Sequence, residues 1–155
     1  MEPICEIDAY GTKRYLLNGR LHREDGPAIE YVSGSKEWYK NGNLHRENEP
    51  AVEWHDGQKE WYINGKLHRE DGPAYESASG TKSWFLNGKY HREDGPACEW
   101  HDGNKYWYIN NKLHREDGPA CEEVNGTKEW YYCGKKIFCK DNKEFLKIIK
   151  IKVFW

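Results

Sequence analysis

The sequence is poor in the residues from which an ordinary globular core is built. Apolar residues fill 37% of its 155 positions, methionine occurs once, and mean hydropathy is −1.10. No stretch approaches the roughly 18–20 consecutive apolar residues of a membrane-spanning helix. Cysteine is present but unpatterned. Cys5, Cys98, Cys121, Cys133 and Cys139 are odd in number and contain no C-x-x-C pair, which argues against a disulfide framework or a zinc knuckle. The opening MEPICEIDAYG has neither a basic start nor an apolar run, so no secretory signal is expected. Free thiols then point to a reducing, intracellular (cytoplasmic) setting.

What the chain has in quantity is aromatic surface: eight Trp and eleven Tyr, with aromatics at 15% of all residues. Each such side chain removes a large area from water while keeping its N–H or O–H close to solvent. A thin aromatic layer is expected, and a thick aliphatic core is not. The formal net charge of −2 conceals a split. From residue 135 onward seven Lys stand against Asp141 and Glu144, a net of +5, leaving 17 basic and 24 acidic residues before it, a net of −7. An acidic body argues against nucleic acid as a partner, because that affinity rests on neutralising phosphates with Lys and Arg.

The stretch HREDGPA at 22–28 returns as HRENEPA at 45–51 and as HREDGPA from 68, 91 and 114, five copies at an interval of 23 residues. Self-similarity at a fixed period of this size marks solenoids, propellers or arrays. Gly11, Gly34, Gly57, Gly80, Gly103 and Gly126 keep the same register, as do Lys13, Lys36, Lys59, Lys82, Lys105 and Lys128. After each of the last five Lys comes an aromatic pair: Trp38-Tyr39, Trp61-Tyr62, Trp84-Phe85, Trp107-Tyr108 and Trp130-Tyr131. PICE at 3–6 echoes PAIE at 27–30 as a worn first copy. A longer period of 46 residues relates AVEWHDGQKEWYIN at 51–64 to ACEWHDGNKYWYIN at 97–110, placing Trp54-His55 and Trp100-His101 on alternate rungs.

Each unit reads as two short strands, giving ten to twelve in all. Adjacent Trp and Tyr on a strand point to opposite faces, so both faces of the sheet carry aromatics. In the other strand AIEYV, AVEWH and ACEWH alternate, with Ala and Glu on one side. Asp-Gly, Ser-Gly and Asn-Gly supply the turns, and LHREDGP is the longest connection. In the second copy Glu49 replaces the loop Gly directly before Pro50, where the chain is pushed toward extended backbone. That Gly is therefore not expected to serve a positive φ. After Ile137 the repeat stops, and DNKEFLKIIKIKVFW begins with an N-cap candidate in Asp141 or Asn142. Phe145, Leu146, Ile148, Ile149 and Val153 share one side of a helix, Lys143, Lys147 and Lys150 the other, while KIKVFW also alternates as a strand would. The expected fold is all-β: an open antiparallel β-meander solenoid of tandem β-hairpin repeats over 1–134. A C-terminal capping helix or mixed element over 135–155 closes it.

The candidate site residues form two rows. The first is His22, Arg23, His45, Arg46, His68, Arg69, His91, Arg92, His114 and Arg115; the second is Tyr39, Tyr62, Phe85 and Tyr108. With two strands per unit about 4.8 Å apart, equivalent His residues lie too far apart to share a zinc ion, whose ligands sit within about 2.0–2.3 Å. The same spacing keeps Cys98 and Cys121 from bridging, and no metal or cofactor is expected. His-Arg-Glu-Asp could in principle supply acid, base and anion clamp, but five near-identical copies do not resemble one preorganised catalytic pocket. Arg paired to Glu or Asp between rungs is the structural reading. Arg and His rows contacting a protein partner is the functional one. The aromatic row serves either as cross-strand packing or as a groove for a protein or peptide. The Lys-rich tail reads as a cap, with binding to an anionic membrane surface and self-association through an end as its other uses.

At WYINGKLHREDGPA the pattern resembles the MORN repeat (membrane occupation and recognition nexus), with its aromatic-x-N-G-K-x-H core. The resemblance covers residues 11–134, with Arg23, Arg46, Arg69, Arg92 and Arg115 standing where MORN units place Gly. Tandem HREDGPA units are also similar to those of large DNA viruses of amoebae, for which the setting would be host cytoplasm or virion. The resemblance implies a twisted antiparallel meander with two strands per repeat, serving as a non-enzymatic scaffold for protein contacts. It brings no catalytic residues.

Overall fold

A computed structural model of the chain describes residues 2–152, in which 22 strands precede a single helix, α1, Asn142–Lys152. The helix–strand alternative for the tail thus resolves to a helix through Lys152, while residues 153–155 lie outside the described part. Fourteen strands form one antiparallel sheet that runs along the molecule in chain order without closing on itself. Each unit adds two strands to it, as in Ile29–Glu30 with Lys36–Glu37 and Val52–Glu53 with Lys59–Glu60. The all-β open meander is therefore the observed architecture.

The register explains why Lys recurs every 23 residues. Directly opposed residues run across the sheet as Lys13, Glu30, Lys36, Glu53, Lys59, Glu76, Lys82, Glu99, Lys105, Glu122 and Lys128. Opposite charges thus alternate along one row, of which Lys13 and Glu30 close to 3.5 Å while the row's Glu side chains also face the loop Arg. A slip of one residue would move the whole row to the other face. The next position along each strand carries the opposite face, where Ile29, Val52, Cys98 and Cys121 are buried.

The strand count exceeds the ten to twelve expected from sequence because each aromatic strand changes partners at its Trp. In the second unit the Trp38 N–H donates to Ala51 O at 2.8 Å, and the Trp38 carbonyl accepts from His45 N at 3.0 Å. Lys36–Glu37 therefore belongs to the long sheet, whereas Tyr39–Lys40 pairs with Asn43–Leu44 in a separate hairpin. Three further units repeat this hairpin. Its turn places Asn41 at φ 53° and Gly42 at φ 84°, the double left-handed geometry for which Asn-Gly is the preferred pair. The connection read as starting at Leu is correspondingly shorter, since Leu44 lies in a strand and the loop begins at His45.

Where the two parts of a unit meet, Ala28, Ala51, Ala74, Ala97 and Ala120 are fully buried. Their carbonyls accept the N–H of Tyr15, Trp38, Trp61, Trp84 and Trp107, each at 2.8 Å. The thin layer that the composition predicts is this file of Ala beside aromatic rings. At the C-terminal end α1 packs Phe145, fully buried, and Ile149 on Ile137, with Trp130, Leu146 and Ile148 around them. Asp141 caps the helix by accepting from Glu144 N at 2.8 Å, and Glu144 reaches back to Lys140 N at 3.0 Å, a variant of the capping box. The apolar side of the tail is therefore occupied by the sheet end, with Lys143, Lys147 and Lys150 outward. The opposite edge is the strand Ile4–Ile7, exposed at all four positions.

Candidate functional site

The repeated loop is organised by its Arg. In the first copy Arg23 Nε donates to Asp25 at 2.9 Å, while Nη1 donates to Glu30 at 2.9 Å and to Pro27 O at 3.3 Å. Its guanidinium lies over the Tyr15 ring at 3.9 Å. In the later copies the ring beneath is Trp: Arg46 on Trp38, Arg69 on Trp61, Arg92 on Trp84 and Arg115 on Trp107, at 3.9–4.2 Å. A planar cation on an aromatic face, with its edge donors taken by carboxylates and a carbonyl, is an arrangement Lys cannot reproduce. These Arg–acid pairs lie within one loop and its following strand, not between rungs as expected. The links between rungs come from the backbone, as in Arg23 N to Tyr39 O at 3.2 Å, and from His.

Four of the five loop His reach forward to the next unit. His22 Nδ1 accepts from Asn41 N at 3.0 Å, and His45, His68 and His114 accept likewise from Asn64, Asn87 and Cys133. The other ring nitrogen, Nε2, faces Glu24 at 3.7 Å and the equivalent Glu in the other loops. His91 departs from the series, its Nδ1 having no partner. The turn ahead of it is Asn110-Asn111, and Asn111 Oδ1 instead accepts from Tyr90 N at 2.7 Å.

The loop Gly serves a close approach. Gly26, Gly72, Gly95 and Gly118 are absent from the positive-φ residues, as the second copy implied, but a Cβ at Gly95 would stand 2.9 Å from Arg92 Cζ. In the second copy Glu49 takes this position, Asn48 turns to φ 64°, and Arg46 pairs with Glu49 itself. Gly95→Ala would push the far end of Arg92 from its seat and is expected to destabilise the chain by about 0.5–1.5 kcal/mol, the cost of a displaced rotamer, as measured by urea unfolding. An unchanged midpoint would show that the guanidinium moves aside freely.

With Arg and His engaged inside the structure, the groups presented to solvent are acidic. Glu24, Glu47, Glu70, Glu93 and Glu116 are 71–86% exposed. Beside them Asp25, Asp71, Asp94 and Asp117 each hold the Arg of their own loop while remaining open to water. The Arg guanidinium holds the carboxyls of Asp25, Asp71 and Asp94 below their ordinary value. Between successive loops lie four equivalent clefts of 480–750 Å³, with acidic groups from both loops on the rim and the Trp of the later unit in the lining.

Tyr39, Tyr62, Phe85 and Tyr108 occupy the other face, since each follows a Trp that lies under an Arg. The fourteen candidate residues thus form two separate surfaces. On the aromatic face Glu37 accepts from Tyr39 at 2.8 Å and Glu60 from Tyr62 at 2.9 Å. Burial, aided by these carboxylates, pushes both phenols well above their usual range. Cys98 and Cys121 are buried free thiols, and burial raises Cys121 to about 11. Among the described residues no three or more His, Cys, Asp and Glu are grouped so as to hold a metal ion, and no helix is long and apolar enough to cross a membrane.

Sequence reasoning missed the Trp under each Arg and the carboxylates as the displayed groups. The signal was a constant interval of eight residues from Trp61 to Arg69 and in every other copy. The N-terminal end obeys it, with Tyr15 preceding Arg23 by eight, whereas at the C-terminal end Trp130 is followed at that interval by Phe138. There α1 replaces the missing loop, with Asn142 accepting from Trp130 Nε1 at 3.4 Å. Compared with protein-family models and with curated proteins, the chain matches none.

Proposed function

We propose that the chain is a non-enzymatic repeat scaffold that holds a protein partner along its row of inter-loop clefts. Contact is made by the Glu and Asp of each loop, while His and Arg set the loop's shape. The observation that carries this reading is the recurrence of the cleft, with the same acidic rim and aromatic lining at every step of the array. Five similar loops suit multivalent contact with an elongated ligand, as in other solenoids, and not the single preorganised pocket of catalysis. The likeness to MORN repeats points the same way.

Charge and spacing define the partner. One unit adds two strands, so successive clefts lie about 9–10 Å apart, close to one turn of a polyproline II segment, three residues at about 3.1 Å each with every third side chain on the same side. The ligand is an extended protein segment with Arg or Lys at every third position. The experiment compares the native chain with a variant carrying Gln at positions 24, 47, 70, 93 and 116, all exposed Glu. A peptide with Arg at every third residue is expected to bind the native chain in a salt-sensitive manner, and the variant at least about tenfold more weakly. Equal affinity for both chains, or no salt-sensitive binding, would refute the reading.

A further inference from the structure

The aromatic face changes character at the fourth unit. On the aromatic face Glu37, Glu60 and Glu129 each accept a hydrogen bond from the Tyr two residues later. In the fourth unit both members of this pair are replaced, the acid by Ser83 and the phenol by Phe85. The matched loss leaves no orphaned polar group and opens a cavity of 520 Å³. Its walls include Tyr75, Phe85, Tyr90 and Trp100, with Cys98 5% exposed and Glu60 as the one carboxylate. Phe85 and Tyr90 meet at 4.1 Å between ring centroids. Trp100 is 49% exposed. Its counterpart Trp54 is tethered to Glu60 at 3.1 Å, but the residue corresponding to Glu60 beside Trp100 is Tyr106.

No Lys or Arg lines this cavity, and a carboxylate does. That charge favours a cation and disfavours phosphate. Ring faces attract cations through their quadrupoles. A primary ammonium would bring three N–H donors in need of acceptors, yet Glu60 already accepts from Trp54, Gln58 and Tyr62 at 2.8–3.1 Å. We propose that this cavity binds a quaternary ammonium group, which has no donors to satisfy and is weakly hydrated, beside Tyr75 and Trp100, with the mutually packed rings of Phe85 and Tyr90 as its apolar wall. The site is distinct from the loop clefts and does not depend on the function proposed for them.

The test is calorimetric titration of the full chain with tetramethylammonium chloride, using sodium chloride as the blank. Saturable binding is expected in the native chain. Trp100→Ala, an exposed position, weakens it at least about tenfold, as expected for loss of a ring face from the site. A double variant, S83E with F85Y, restores the acid–phenol pair, fills the cavity and abolishes binding with an unchanged thermal melt. Absence of saturable binding by the native chain, unchanged affinity in both variants, or a preference for methyl glucoside over tetramethylammonium would each overturn the proposal. Two further ligands separate the natural sources: tighter binding of a trimethyllysine peptide supports the site with a protein-borne group, and tighter binding of phosphocholine supports it with a free or lipid-borne one.

Discussion

Trp61→Ala is expected to lower stability by about 3–5 kcal/mol, a fall of roughly 6–20 °C in Tm for a chain of this size. Trp61 is 8% exposed and sits at the middle of the array. Its ring supports the Arg69 guanidinium at 4.2 Å, and Arg69 in turn holds Asp71 at 2.9 Å and the Pro73 carbonyl at 3.3 Å. Truncation therefore removes buried area, leaves a cavity and releases the cation that ties the loop to the next strand. Because each unit contacts only its neighbours, the loss reaches the second and fourth units directly. Two comparisons isolate the cause. Trp61→Phe keeps a ring under the cation and removes an indole N–H that has no hydrogen-bond partner, so it is expected to cost far less. Trp100→Ala, on the other face, is expected to stay within about 0.5 kcal/mol. Differential scanning calorimetry on the three variants separates these outcomes, and similar Tm values for all three would remove the Arg–Trp layer from the account.

Phe145→Ala is expected to destabilise by about 3–5 kcal/mol and to expose the C-terminal end. Phe145 is fully buried and packs with Ile149 on Ile137, which stands where the repeat would place its sixth His. Losing that anchor uncovers Trp130, whose indole N–H is held by Asn142, and leaves the end of the sheet without its seal. An unsealed solenoid end associates with other copies, so size-exclusion chromatography should show larger species together with the lower Tm. A monomer of unchanged Tm would show that α1 is not the cap.

The array, its two sheet strands per unit and its turns were legible from Gly, Asn and Lys at fixed intervals, because turn chemistry and cross-strand charge are local. The C-terminal cap was legible from the face shared by Phe145 and Ile149. Other features were hidden for physical reasons. The change of partner at Trp38 depends on which carbonyls its neighbours present, and Ala51 lies 13 residues away. Arg stacking on Trp crosses an irregular loop, where no helical or strand period shows which side chains meet. The role of Gly95 as the seat of a guanidinium follows only from the Arg position, although its lack of positive φ was readable from Glu49. Expecting His and Arg to face the partner followed from their repetition alone, and repetition marks structural need as strongly as contact.

The central claim is that the acidic loop row is the contact surface. Backbone amide shifts of the isotope-labelled chain, titrated with the peptide bearing Arg at every third residue, test it most directly. The account predicts shifts at Glu24, Glu47, Glu70, Glu93, Glu116 and the residue after each, repeating from unit to unit. Shifts confined to Tyr39, Tyr62, Phe85 and Tyr108, or to the lysine side of α1, would contradict it.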